Sequence, residues 1–189
     1  MADRQKLGES TYKTITEMIL RQEIPCGSRI SVDALSKKLG VSRTPVTEAV
    51  QRLSKEGIVK LAPHRSAEVV SFGTKEITDL GLTRIMLDTL AVQLAVRYGS
   101  DAEFDRLKQT ADECLAAAEK GDIFNWIRLE CEFHLGLAEI GKNENLCKIM
   151  EDLYLKIRLV QFVTYVESEL SISMIKLHYD IIDRLKARD

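Results

Sequence analysis

Three features of this 189-residue sequence predict a mainly α-helical chain of two parts. Apolar residues recur at helical spacing over most of its length. All three prolines lie at or before Pro63, so no proline breaks a helix after that point. The charge also changes sign along the chain. Residues 1–73 carry 12 Lys/Arg against 8 Asp/Glu, and residues 74–189 carry 15 against 21. A basic part followed by an acidic one fits a nucleic-acid module joined to a domain with another task.

The elements follow in order. Tyr12, Ile15, Met18 and Ile19 give residues 9–22 one apolar helical face. Pro25-Cys26-Gly27-Ser28 is a turn. Val32, Leu35 and Leu39 make a short second helix, stopped by Gly40. Ser42 suits the N-cap of a third helix, in which Pro45 is tolerated in the first turn. Val46, Ala49, Val50 and Leu53 form its apolar face, and Gly57 ends it. Residues 58–61 and 68–71 read as two short strands, with Pro63, His64, Arg65 and Ser66 between them. Three helices and a basic hairpin predict a winged helix-turn-helix over residues 1–72.

The texture changes after Gly73. Helices are predicted from Thr74 to about Tyr98, Asp101 to Lys120, Ile123 to Ile140, Asn143 toward Glu169, and over 170–187. Short connections make residues 73–189 an all-α antiparallel bundle.

An apolar fraction of 45% is enough for a packed core, and a charged fraction of 30% is ordinary for a water-soluble chain. No run of 18 apolar residues and no secretory h-region occur, so a cytoplasmic protein without a membrane span is expected. Cys26, Cys114, Cys131 and Cys147 have no CxxC spacing and suit reduced thiols.

Residues 40–57 carry the strongest functional signal. Opposite the apolar stripe of the third helix stand Arg43, Thr44, Thr47 and Gln51. Arg reads guanine bidentately in the major groove, and Thr and Gln reach bases or phosphates. The free N–H groups at the helix start favour a phosphate. In the hairpin, His64 and Arg65 can reach the DNA backbone or minor groove. The alternative is a solvated amphipathic helix in an unrelated small domain.

A second signal lies in residues 123–141, which are apolar nearly all round. Glu130 and His134 sit inside that helix four residues apart, on one face. His178 lies in another apolar stripe with Met174, Ile181, Ile182 and Leu185. Imidazole and carboxylate together suit Zn, Ni, Mn or Fe. The alternative is a pair of core histidines bonded to neighbouring carbonyls or carboxylates.

Residues 9–71 resemble the DNA-binding domain of the GntR family of bacterial transcription regulators. The resemblance rests on Pro25-Cys26-Gly27-Ser28-Arg29-Ile30, on the run from Leu35 to Val46 that ends Val41-Ser42-Arg43-Thr44-Pro45-Val46, on Glu48-Ala49 and on Glu56-Gly57. The family usually has Arg where Thr47 stands and Gly where Ser66 stands, so the usual operator is not expected. Residues 74–189 resemble the FCD ligand-binding domain of the FadR-type subgroup. Arg84 with Asp88, Glu132-Phe133-His134, Asn143 with Leu146, and His178 carry that likeness.

The resemblance implies a metal held by Glu130 (in place of the family's Asp), His134 and His178. It places a last His beyond Asp189, so a C-terminally truncated domain is expected. It also implies that Arg84 clamps an effector carboxylate; the alternative for Arg84 is a salt bridge to Asp88. The function implied is a homodimeric regulator, a repressor, that binds a palindromic double-stranded operator and answers to a small organic or sugar acid. Two rivals are a DNA-binding dimer whose helical domain only dimerises, and a metal-dependent hydrolase or isomerase with Glu130 as base. The sequence has no HExxH, nucleophile–base pair or Gly-rich phosphate loop beside its histidines, which argues against an enzyme.

Overall fold

The computed structural model describes residues 2–62, 66–164 and 169–189. The chain divides into two compact units, Met1–Gly73 and Thr74–Asp189.

In unit 1 the order is α1 (Ala2–Leu20), β1 (Arg29–Ile30), α2 (Val32–Leu39), α3 (Arg43–Lys55), β2 (Val59–Ala62) and β3 (Ser66–Val69). The core forms where Ile15, Met18 and Ile19 of α1 meet Val46, Ala49, Val50 and Leu53 of α3. Ser31 caps α2 by accepting from Ala34 N at 3.2 Å, and Gly40 ends it in the left-handed region at φ 65°. Ser42 occupies the N-cap of α3 with extended backbone, yet its side chain makes no capping bond.

Two features of unit 1 differ from the sequence expectation. Helix α1 begins well before residue 9, and its polar first turns carry no apolar period that would announce it. The sheet has three antiparallel strands in the order β1-β3-β2, with Val59 opposite Val69 and Ile30 opposite Ala67. A two-residue strand such as β1 is too short to display alternation. It exists because the Gly27 turn (φ 76°) folds it back, with Gly27 N donating to Val69 O and Val69 N to Ser28 O, both at 2.9 Å.

Unit 2 consists of α4 (Thr74–Tyr98), α5 (Asp101–Glu119), α6 (Ile123–Ile140), α7 (Glu144–Thr164) and α8 (Glu169–Ala187). The described residues are thus mainly helical, with eight helices and one small sheet. Polar side chains mark the starts. Ser100 and Glu103 form a reciprocal capping box on α5, Asp122 Oδ1 accepts from Asn125 N, and Asn143 Oδ1 accepts from Leu146 N. Helix α6 packs against α4, α5 and α7, and α8 lies on α5 and α4. That central position follows from composition: Ile127, Leu129, Phe133, Leu137, Ala138 and Ile140 of α6 are all buried. Any polar group on the inner faces of α6 must therefore find its partners on the surrounding helices.

Candidate functional site

Helix α3 meets its own unit with Val46, Ala49, Val50 and Leu53, so the opposite face is open. Arg43, Thr44, Thr47 and Gln51 are all exposed there. The Arg43 side chain is 71% exposed and its Nε bonds Asp33 Oδ1 at 2.9 Å. A pair so open to water is weak and exchanges readily for a phosphate or a base. Thr47 donates its hydroxyl to Arg43 O at 2.9 Å, which braces the first turn of the helix. With Ser42 not capping, the N–H groups at the start of α3 stay available to an anion. Arg52, further along α3, is committed inside the unit. It lies over the Tyr12 ring, 3.6 Å from the centroid, and pairs with Glu9 at 2.8 Å and Glu56 at 3.0 Å. His64 and Arg65 lie outside the described residues.

Unit 2 holds a polar cluster inside its bundle. Arg84 and Asp88 are one turn apart on α4, Glu130 and His134 one turn apart on α6. Tyr154 comes from α7, His178 from α8 and Cys114 from α5. The Arg84 guanidinium ties α4 to α6 and α7: its Nε donates to Asp88 Oδ2 and to Tyr154 Oη, both at 3.1 Å, and its Nη2 to Glu130 Oε1 at 3.3 Å. Nη2 also stands 2.7 Å from His134 Nε2. Tyr154 in turn donates to Asp88 at 2.7 Å.

Glu130 faces two ways. Its Oε1 looks to Arg84 and to His134 Nε2 at 3.4 Å, and its Oε2 to His178 Nε2 at 3.1 Å. The sequence-nominated trio Glu130, His134 and His178 is thus brought together, and Arg84 joins it. The pairing of Arg84 with Asp88 is also present, as one part of a larger network.

The electrostatics follow from burial and partners. Burial pushes the Glu130 carboxyl up, but His134 and His178 outweigh it and hold it well below the usual range. Asp88 is also depressed: burial opposes, while His134, Tyr154 and Arg84 prevail. Burial works against a proton on His134, yet Asp88 and Glu130 raise its pKa above the ordinary imidazole value. Burial raises the Tyr154 hydroxyl far above its usual value, so it stays a donor. Burial and the Glu130 charge push the Cys114 thiol up to about 12.

Sequence reasoning nominated neither Tyr154 nor Cys114 for the site. Tyr154 left one trace, a hydroxyl among the apolar positions Met150, Leu153 and Ile157. Cys114 shares the inner stripe of α5 with Leu107, Ala111 and Ala117, where a cysteine reads as a small apolar residue.

A winged helix-turn-helix head and a helical second unit with a buried polar cluster define the class of two-unit transcription regulators. The comparisons agree. Residues 7–69 match the family described as bacterial regulatory proteins, gntR family, and residues 79–189 match the FCD domain. The chain belongs to the GntR family, with an FCD domain as its second unit; it is a transcription regulator and not an enzyme.

Among relatives, the Nta operon transcriptional regulator of Aminobacter aminovorans is 31% identical over 77% of this chain and 69% of its own length. The HTH-type transcriptional regulator McbR of Escherichia coli is 26% identical over 86% and 75%. An uncharacterized HTH-type transcriptional regulator of Bacillus subtilis, YdhC, is 26% identical over 94% and 80%. The solved structure of E. coli McbR/YncC superposes with a TM-score of 0.83 at 24% identity, covering 97% of this chain and 87% of that one. A GntR regulator from Rhodococcus sp. RHA1 gives 0.80 at 20% identity, over 95% and 86%. These likenesses show the fold. Among the described residues no helix is long and apolar enough to cross a membrane.

Proposed function

We propose that this cytoplasmic regulator binds a palindromic operator as a homodimer, represses from it, and changes its hold when a small organic or sugar acid enters unit 2. The observation that carries the DNA reading is the open face of α3: Arg43, Thr44 and Thr47 stand exposed at its start beside N–H groups that Ser42 does not cap, and Gln51 follows two turns along. Two heads related by two-fold symmetry read half-sites about one helical turn apart or a multiple of it.

A stripe on α4 supports the dimer. Leu82 is 62% exposed, Met86 70% and Leu90 39%, spaced four apart on one face, with Ile85 beside them. An isologous contact places this stripe against its own copy, which removes it from water.

The effector reading rests on Arg84. Three of its bonds hold it in place, and no hydrogen bond engages its Nη1 among the described residues. That edge of a planar fork suits a carboxylate. Arg84 is the permanent cation facing the carboxylates of Asp88 and Glu130, and an anion enters more easily beside an added cation. The donor chemistry fits a divalent metal (Zn, Ni, Mn or Fe), with Glu130 and His178 as ligands and His134 next to them. When bound, the metal supplies positive charge that receives the effector's carboxylate. Arg84 orients that group, and Tyr154 and Asp88 orient Arg84. Only an effector that binds one arrangement of the two heads better than another can alter operator affinity.

The test is fluorescence anisotropy on a palindromic duplex recovered by selection from genomic DNA. Binding at least about 10³-fold tighter than to unrelated DNA is expected, with a shift on adding organic or sugar acids. Equal affinity for a scrambled duplex rejects the operator reading. A shift that survives in Arg84→Lys rejects Arg84 as the clamp.

A further inference from the structure

We infer that Cys114 is a metal ligand of unit 2, completing with Glu130 and His178 a thiolate-containing site for a soft divalent ion such as Zn2+. This deepens the reading of unit 2 as a metal-assisted acid sensor and rests on it.

The geometry points to Cys114 rather than His134 as the third donor. One donor atom each from Cys114, Glu130 and His178 lies within 4.8 Å of the others. Glu130 Oε2 and His178 Nε2 are 3.1 Å apart. Two donors each about 2.1 Å from one ion at a tetrahedral angle are about 3.4 Å apart, so this pair is already spaced to share an ion. His134 is directed elsewhere: its Nε2 meets the Arg84 guanidinium at 2.7 Å and its Nδ1 stands 3.2 Å from Asp88 Oδ2. An ion on that nitrogen would have to displace a fixed cation.

A second observation is independent of the spacing. The His178 side chain is only 5% exposed, and its Nδ1 has no hydrogen-bond partner among the described residues. With Nδ1 unbonded, the ring is tied down through Nε2 alone, the nitrogen that faces Glu130 and the proposed ion. The ring cannot swing out to find water, because it stacks on Phe133 with centroids 3.9 Å apart and planes at 15°. Cys114 is fully buried, and among the described residues its Sγ makes a long hydrogen-bond contact, 3.7 Å, to Trp126 O. On binding, the metal–sulfur bond replaces the S–H bond, the proton leaves to solvent, and no redox change is needed.

The consequence is selectivity. A thiolate with an imidazole and one carboxylate oxygen favours Zn2+ or Co2+ over Mg2+ or Mn2+. Oxygen-rich donor sets have the opposite bias.

The experiment uses the full chain, reduced and stripped with chelator, titrated with Co2+ and then with Zn2+ in competition. The wild type is expected to bind one equivalent and show a thiolate-to-cobalt charge-transfer band in the near ultraviolet. Cys114→Ser is expected to lose the band and to bind Zn2+ more than about tenfold more weakly. His134→Gln is expected to keep the band. Circular dichroism shows whether each variant is folded, and Cys131→Ser is the control for a buried thiol outside the cluster. Cobalt binding without the band, or a band that persists in Cys114→Ser, overturns the thiolate site while a metal-assisted sensor stands. No binding of Co2+ or Zn2+ by the folded wild type overturns both the thiolate site and the metal part of the reading. Operator affinity, measured separately, is untouched by either result.

Discussion

Arg84 on α4 and His134 on α6 meet nitrogen to nitrogen, Nη2 to Nε2, at 2.7 Å. A guanidinium can only donate, so the contact is favourable only while Nε2 is an unprotonated acceptor; the other ring nitrogen, Nδ1, stands 3.2 Å from Asp88 Oδ2. A second proton on the ring would turn Nε2 toward Glu130 Oε1, 3.4 Å away. The contact therefore couples the tautomer of His134 to the position of the proposed carboxylate clamp.

Removal of the guanidinium leaves Asp88 and Glu130 buried without their common cation. Arg84→Met is expected to destabilise the chain by about 3 kcal/mol in urea unfolding. Glu130→Gln in the same background should recover part of that loss, because it removes one of the two stranded charges. Additive effects of the two substitutions would show that the groups are not coupled.

Arg43 is held by Asp33 in an exposed pair at 2.9 Å. Arg43→Ala is expected to weaken operator binding by about 1–3 kcal/mol and to relax base preference at one position of each half-site. Asp33→Asn should strengthen binding by up to about 1 kcal/mol, since the guanidinium no longer has to leave a carboxylate. A loss in Arg43→Ala that is equal on every DNA sequence would assign Arg43 to phosphate rather than base.

Leu82, Met86 and Leu90 expose their side chains on α4 at four-residue spacing. Leu82→Glu combined with Met86→Glu places like charges opposite one another across an isologous contact. Sedimentation velocity is expected to show monomers, with unchanged helix content by circular dichroism. A dimer that survives the double change locates the interface elsewhere.

Gly99 sits where a side chain has no room. A Cβ there would stand 2.5 Å from the Phe104 ring and 2.6 Å from Ile140 Cγ2, both in the core. Gly99→Ala should lower stability by about 1–3 kcal/mol by overpacking. Gly81, whose Cβ would meet nothing within 4 Å, is the control, and Gly81→Ala should be neutral or slightly stabilising.

Tyr12 donates to Glu56 Oε2 at 2.8 Å, and burial followed by Glu56 raises its pKa from 10.0 to about 12. The folded state thus holds this proton more tightly than the unfolded one. The resulting stability is fully present below pH 10 and is lost as the pH rises toward 12. The stability difference between wild type and Tyr12→Phe should therefore shrink across that interval. A constant difference would mean that the proton has no part in it.

The regular elements were legible because each carries its own local marks. Gly40 and Gly57 ended helices at the expected places, and the helices of unit 2 that start at Asp101, Ile123 and Glu144 begin at or next to the expected residues. Strand β1 and the polar beginning of α1 had no such mark. The Glu130–His134 pair was legible through its four-residue spacing inside an apolar helix, and His178 through its place in a second apolar stripe. Tyr154 and Cys114 were not, because one hydroxyl and one thiol on apolar faces look like ordinary core.

Local chemistry alone thus determined that this chain has a basic winged head, a helical second unit and a helix whose first turn is fit for DNA. Those properties depend on residues within a few positions of one another, where propensity, capping and periodicity act. Only tertiary structure decided that Arg84 would face His134, and that Glu130 would share its two oxygens between an arginine side and a Cys114–His178 side. These partners come from four different helices. Their meeting is set by how the apolar faces of α4, α5, α6 and α8 pack around one another, which no single stretch of sequence encodes.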